Sequence, residues 1–203
     1  MYEHIVEKND YLSQNIRGFY HCDYTNMRER GYSYFLNELK NDNRDISSIW
    51  LDNAKSKLAN ILRQELPQVL KKMSWPQADV CVVPRAKPAD YYHADQLFFS
   101  ETVCRVATEL RSLSNGCYFI KRHTKTKTTH RHFTDTIGSM PYPGISQDTC
   151  HISNNVHGRN IILVDDIYTK SINIDEDLIQ ALLDQGVHAV CLYTVAKTVK
   201  KYS

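Results

Sequence analysis

The segment Ile161-Ile162-Leu163-Val164-Asp165-Asp166 constrains this chain more than any other. Four consecutive large apolar residues with no polar alternation read as a strand buried on both faces, which is the habit of parallel sheets covered by helices. Two adjacent acids then end the run. In open α/β sheets ligands sit just outside the carboxyl ends of strands, so the pair stands where a polar ligand or a metal would be met.

The surrounding texture agrees. After Trp75-Pro76, short apolar runs alternate with amphipathic stretches: a strand at Asp79–Pro84, a helix from about His93 to Ser112, strands at Cys117–Lys121 and Asn160–Val164, a helix from Ile174, and a last strand at His188–Val195. This alternation predicts an α/β fold, a parallel sheet flanked by helices on both faces. Asn173 and Glu176 have the spacing of a capping pair, and Gly186 is placed to end the last helix. Before Trp75, apolar residues at helical spacing over Tyr32–Lys40 and Asp52–Met73 predict a mostly helical amino-terminal attachment, with Pro67 kinking or ending its second helix. The expected division is therefore 1–75, a helical segment or hood, and 76–203, the core.

Composition excludes several classes. A chain of 203 residues, 42% apolar and 24% charged, is that of an ordinary globular protein. A net charge of +2 is too small for a global polyelectrolyte interaction with nucleic acid, so any basic site must be local. No apolar run approaches a membrane span, and the start lacks the basic and apolar regions of a signal peptide, which predicts a cytoplasmic protein without a membrane partner. The six cysteines are scattered singly with no CxxC pair, and are expected as free, mostly buried thiols.

Beyond the acids lies Ile167-Tyr168-Thr169-Lys170-Ser171-Ile172-Asn173, a short hydroxyl- and amide-rich loop running into a helix. Backbone N–H groups at a helix start favour an anion, and Thr169, Ser171 and Asn173 can add side-chain hydrogen bonds. Acids for hydroxyls beside a phosphate nest describe a sugar phosphate.

Val164-Asp165-Asp166-Ile167-Tyr168-Thr169 resembles the phosphoribosyl diphosphate signature of type I phosphoribosyltransferases, in which a hydrophobic strand, an acidic pair and a Thr-rich loop follow in this order. The ComF-type amidophosphoribosyltransferase-like group is the variety it most resembles, through the closing segment Leu192–Thr198. The amino-terminal zinc ribbon common in that group has no counterpart, since this region holds only Cys22. The likeness covers about 76–198.

It implies phosphoribosyl diphosphate as donor, a base or amine acceptor that the sequence does not specify, and Mg²⁺ as the accompanying cation. Asp165 and Asp166 would hold the ribose hydroxyls and favour the developing positive charge. Thr169, Lys170, Ser171, Ile172 and Asn173 would hold the 5-phosphate. Arg85 and Lys87, after the first core strand, would meet the diphosphate, together with the basic run Lys121, Arg122, Lys125 and Lys127. The sequence leaves a homodimer open.

Lys170 and Ser171 stand where the family has its second Thr and its Gly, and Asp175, Glu176 and Asp177 load the next helix turn with charge that competes with a phosphate. A regulator that binds phosphoribosyl diphosphate or a nucleotide without catalysis is therefore the first alternative. A nucleic-acid-associated protein using the basic run 121–132 is the second, and the less favoured. A zinc site at His130, His132, Cys150 and His151 fits no common ligand spacing.

Overall fold

The computed structural model describes residues 1–24, 31–128 and 138–199. In chain order the elements are β1 (Tyr2–Val6), β2 (Ile16–Tyr24), α1 (Phe35–Lys40), α2 (Ser48–Met73), β3 (Ala78–Val82), α3 (Phe98–Glu109) and β4 (Leu113–Asn115). They continue with β5 (Ile120–Arg122), α4 (Ile145–Thr149), β6 (Cys150–Ile152), β7 (Asn160–Tyr168), α5 (Ile174–Asp184) and β8 (Ala189–Thr198). A six-stranded sheet runs β1-β2-β8-β7-β3-β4. All neighbouring pairs in it are parallel except β1 with β2.

The three central strands are those expected from apolar runs. Val80, Ile162 and Cys191 align across β3, β7 and β8. Alternate residues then separate onto two faces, as the pleat requires. Ile162 and Val164 join Leu58, Leu62 and Leu66 of α2 and Val103 and Val106 of α3 in one buried cluster. Ile161 and Leu163 join Leu178, Ile179 and Leu182 of α5 in the other. The sheet thus has helices on both faces, in agreement with the expected α/β class.

The amino-terminal attachment is corrected. Residues 1–24 are not helical: β2 extends the parallel sheet alongside β8 through Gly18↔Leu192 and Tyr20↔Thr194, and β1 closes the edge. Phe19, Phe35 and Leu58 share one buried cluster with Val80, Ile162 and Tyr193, so Trp75 does not separate two cores. The helical reading holds for α1 and α2. Pro67 lies inside α2, which continues to Met73, because buried Leu66, Val69 and Leu70 hold the helix across the hydrogen bond that proline cannot donate.

Two further expectations change. The strand expected at Cys117–Lys121 is displaced: the sheet edge is β4, before it, and of the expected residues only Ile120 and Lys121 are strand, in β5, which pairs antiparallel with β6 in a separate ribbon. Cys104 and Cys117 are joined in a disulfide with Cα atoms 5.9 Å apart, whereas Cys22, Cys81, Cys150 and Cys191 are free. Sequence spacing could not show that pairing, since it depends on the middle of α3 packing onto the turn after β4.

At the carboxyl end of α5, Gly186 (φ +80°) takes the expected left-handed position. Its N–H bonds the Leu183 carbonyl and Val187 N–H bonds that of Leu182. Among the described residues no helix is long and apolar enough to cross a membrane.

Candidate functional site

β7 does not stop at Val164. Its pairing with β3 ends at Val82↔Val164, but its pairing with β8 continues through Asp165↔Thr194 to Tyr168↔Lys197. Asp165 and Asp166 are therefore strand residues that project past the end of β3, rather than residues of a turn. Being adjacent on a strand, they serve opposite faces.

Asp166 turns toward α1, where Oδ2 lies 2.7 Å from the Lys40 ammonium. Burial pulls the Lys40 pKa down, but attraction and hydrogen bonding to Asp166 outweigh it and leave it raised, so the side chain stays charged. Asp165 turns toward α5 and shares a hydrogen bond with Asp175. Burial, followed by repulsion from Asp166, pushes the Asp165 carboxyl up to about 7. Burial and then Asp165 push Asp175 well above the ordinary carboxylate range. As a carboxylate Asp175 would leave Oδ1 buried without a partner, and a proton shared with Asp165 removes that cost.

A pH dependence follows. A carboxyl whose folded pKa is raised keeps a proton that the unfolded chain gives up, so its stabilising effect is complete below about pH 4 and is lost as the pH rises through about 7. Asp175→Asn supplies a permanent N–H donor in place of that proton. The variant is expected to be more stable than the native chain by about 1–3 kcal/mol at pH 8, with the difference shrinking toward pH 5. Denaturant titrations of both proteins at the two pH values test this, and a difference independent of pH speaks against the shared proton.

The acids after Asn173 are not an exposed charged turn. Asp175, Glu176 and Asp177 are all buried. Glu176 accepts a hydrogen bond from the Tyr168 hydroxyl (2.7 Å), and Asp177 accepts from the backbone N–H groups of Gly144 and Ser146, fixing the start of α4. The capping pair expected of Asn173 and Glu176 is absent, because Asn173 Oδ1 instead accepts from Asn9 Nδ2 at 3.0 Å.

Between β7 and α5 the Ile172 N–H closes a turn onto the Thr169 carbonyl (2.9 Å), and the hydroxyls of Thr169 and Thr198 lie 2.7 Å apart. Lys170 reaches the exposed Glu7 at 2.6 Å. Ser171 is exposed. Asn173, not Ser171, takes the left-handed conformation, with φ +62°. The loop therefore does not need glycine at 171, and the left-handed backbone falls on an asparagine, a residue type that tolerates it, held by its bond to Asn9.

Arg122 and Thr126 join the basic run to the loop after β3, whereas Lys121 is not brought to it by any contact among the described residues. Arg85 is fully engaged: Nη1 donates to the carbonyls of Lys40 (3.1 Å) and Gln96 (2.7 Å), Nη2 donates to Asp42 (2.5 Å), and the guanidinium lies 4.3 Å from the Tyr92 ring centre. Lys87 donates its backbone N–H to the Tyr92 hydroxyl. Arg122 Nε donates to the Arg85 carbonyl (2.7 Å) and Nη1 to Thr149 Oγ1 (2.7 Å). Thr126 N–H donates to the Ala86 carbonyl at 2.8 Å, which brings the segment carrying half-buried Lys125 and Lys127 to the loop after β3. Lys121 is exposed, its ammonium 5.8 Å from the Tyr118 ring centre. His130, Arg131 and His132 lie outside the described residues.

Two members of the site had no sequence signal. Lys40 is separated from Asp166 by 126 positions and merely ends a short helix. Asp175 reads as a surface acid in a first helical turn, and only the packing of α5 shows it buried. For Mg²⁺ the donor chemistry fits in part. Among the described residues no three His, Cys, Asp or Glu side chains form a metal cage, yet Mg²⁺ is usually held by one or two carboxylates together with phosphate oxygens, and Asp165 and Asp166 offer that set.

The chain matches no family model and no curated protein, so the reading of this site rests on its residues.

Proposed function

We propose that the chain binds phosphoribosyl diphosphate at the carboxyl ends of β3 and β7 and transfers its ribosyl 5-phosphate group to a base or amine, releasing diphosphate. One observation carries the reading. β3 and β7 are parallel neighbours, so the loop bearing Arg85 and Lys87 and the acids Asp165 and Asp166 emerge side by side, with Lys40 bonded to both. The basic run joins the same loop through Arg122 and Thr126.

In the transfer the bond from C1 of the ribose to the diphosphate oxygen breaks, its electron pair leaves with the diphosphate, and the acceptor nitrogen supplies the pair for the new bond before losing its proton. Asp165 and Asp166 hold the ribose hydroxyls and favour the positive charge that develops on the ring. Arg85, Lys87, Lys121, Arg122, Lys125 and Lys127 provide positive charge around the departing diphosphate. The turn Thr169–Asn173 and the first N–H groups of α5 receive the 5-phosphate. When bound, Mg²⁺ supplies further neutralisation of the diphosphate.

A second reading, binding without transfer, is favoured by three engaged groups: Lys40 on Asp166, Arg85 on carbonyls and Asp42, and Lys170 on Glu7. Calorimetric titration with phosphoribosyl diphosphate and Mg²⁺, followed by assay of diphosphate release with purine and pyrimidine bases, glutamine or ammonia, separates the two. Saturable binding with acceptor-dependent release is expected. Binding without release with any acceptor selects the second reading, and absence of binding removes both.

A further inference from the structure

Lys40 is the last residue of α1, where a lysine ordinarily reaches into water and interacts with the helix dipole. Here only 23% of its side chain is exposed, and its ammonium is held 2.7 Å from Asp166 Oδ2, whose own side chain is 15% exposed. A lysine gives up hydration and side-chain freedom in such a position, and an isolated pair of this kind is a weak source of stability. The pair brings a positive charge to Asp166, beside Asp165 and the buried Asp175, whose Oδ1 has no hydrogen-bond partner among the described residues.

The backbone that carries Lys40 is fixed from the opposite loop. Arg85 Nη1 donates to the Lys40 carbonyl (3.1 Å) and Nη2 to Asp42 (2.5 Å). Between them Asn41, left-handed at φ +41°, donates through Nδ2 to Asp95 (3.0 Å), and Gln96 Nε2 donates to the Asn41 carbonyl (3.2 Å). The cation that neutralises the acids and the cation positioned for an anion are thus two ends of one hydrogen-bonded assembly.

We propose that Lys40 is a built-in counter-cation: it occupies the place beside Asp166 that a ligand's cation would take, and it withdraws when such a ligand binds. An ammonium offers one charge and three hydrogen-bond donors and cannot coordinate. A divalent cation brings two charges to the same carboxylate and completes its shell with water or phosphate oxygens. Exchange therefore replaces one positive charge beside Asp166 with another. Arg85 adds a condition. An anion that draws its guanidinium away from the Lys40 carbonyl and Asp42 loosens the backbone that holds Lys40 in place. The ligand class that opens the site is accordingly a divalent cation complexed to a phosphate or diphosphate, in preference to either component alone. The inference rests on the acids being a ligand site, as in the proposed function, but not on the ligand being phosphoribosyl diphosphate.

The test uses Mn²⁺ alone as probe. Lys40→Met keeps the length and apolar stem of the side chain and removes the charge. By calorimetry at pH 7.5 the full-length variant is expected to bind Mn²⁺ at least tenfold more tightly than the native chain. Equal or weaker binding by a variant with an intact melting transition overturns the proposal, as does absence of binding in both proteins. Should Lys40→Met not fold, Lys40→Gln takes its place. A second measurement needs no variant: the ammonium resonance of Lys40 in the native chain, protected by its contact with Asp166, is expected to disappear on saturation with Mg²⁺ and inorganic diphosphate together. Its persistence unchanged under that saturation also overturns the proposal. Neither measurement contains phosphoribosyl diphosphate, so failure of that molecule to bind is a separate result.

Discussion

Replacing Glu65 by alanine is expected to destabilise the fold by about 3–5 kcal/mol, the range for removing one partner from a buried charged network. Glu65 sits on the sheet-facing side of α2 and is only 6% exposed. Oε1 lies 2.8 Å from His21 Nδ1, and Oε2 accepts from the Tyr193 hydroxyl at 2.6 Å. Burial raises the Glu65 carboxyl, but the hydrogen bonds to His21 and Tyr193, with the charges of His21 and of the amino terminus 3.3 Å away, together outweigh it and keep the group below its ordinary range.

These three residues tie α2 to β2 and β8. The alanine variant leaves the hydroxyl of fully buried Tyr193 without a partner and opens a space beside it, so an unsatisfied donor and a cavity act together. Urea or guanidinium titration measures the change. A loss under 1 kcal/mol, at an unchanged denaturant slope, means that the network contributes little beyond what water would supply.

The second large effect concerns the ligand. At a hundredfold excess over its dissociation constant, phosphoribosyl diphosphate with Mg²⁺ is expected to stabilise the native chain by about 2.7 kcal/mol through mass action. Asp165→Asn with Asp166→Asn is expected to abolish that gain, because each amide keeps one acceptor oxygen where a carboxylate has two and has no charge with which to compensate a cation. The double variant itself should remain folded, and Asp165→Asn removes the charge that repels Asp175. Thermal unfolding with and without ligand gives both quantities. Full ligand stabilisation in the folded double variant places the donor elsewhere. Loss of folding is resolved by Asp165→Asn alone, for which a partial loss of the ligand effect is expected.

Much of the architecture was legible because of where its strands lie. β3, β7 and β8 are covered on both faces, so each must be apolar at nearly every position, and such runs stand out. β2 was missed for the converse reason. Its sequence, Ile-Arg-Gly-Phe-Tyr-His-Cys-Asp-Tyr, places polar residues even on the face turned to α2, where Arg17 reaches Glu3 and the Lys72 carbonyl and His21 reaches Glu65. These partners lie 14 to 55 positions away, and no local pattern reveals them.

Asp165 and Asp166 could be singled out from sequence, because two acids closing an apolar strand is a local and costly arrangement. The residues on either side of them also fixed the class of fold. What tertiary structure alone decided is the condition of those acids. The pleat sends them to opposite faces, α1 delivers Lys40 to Asp166, and α5 buries Asp175 against Asp165. Charge state and ligand readiness depend on burial and on partners distant in sequence, whereas strand identity depends on neighbours one and two positions away.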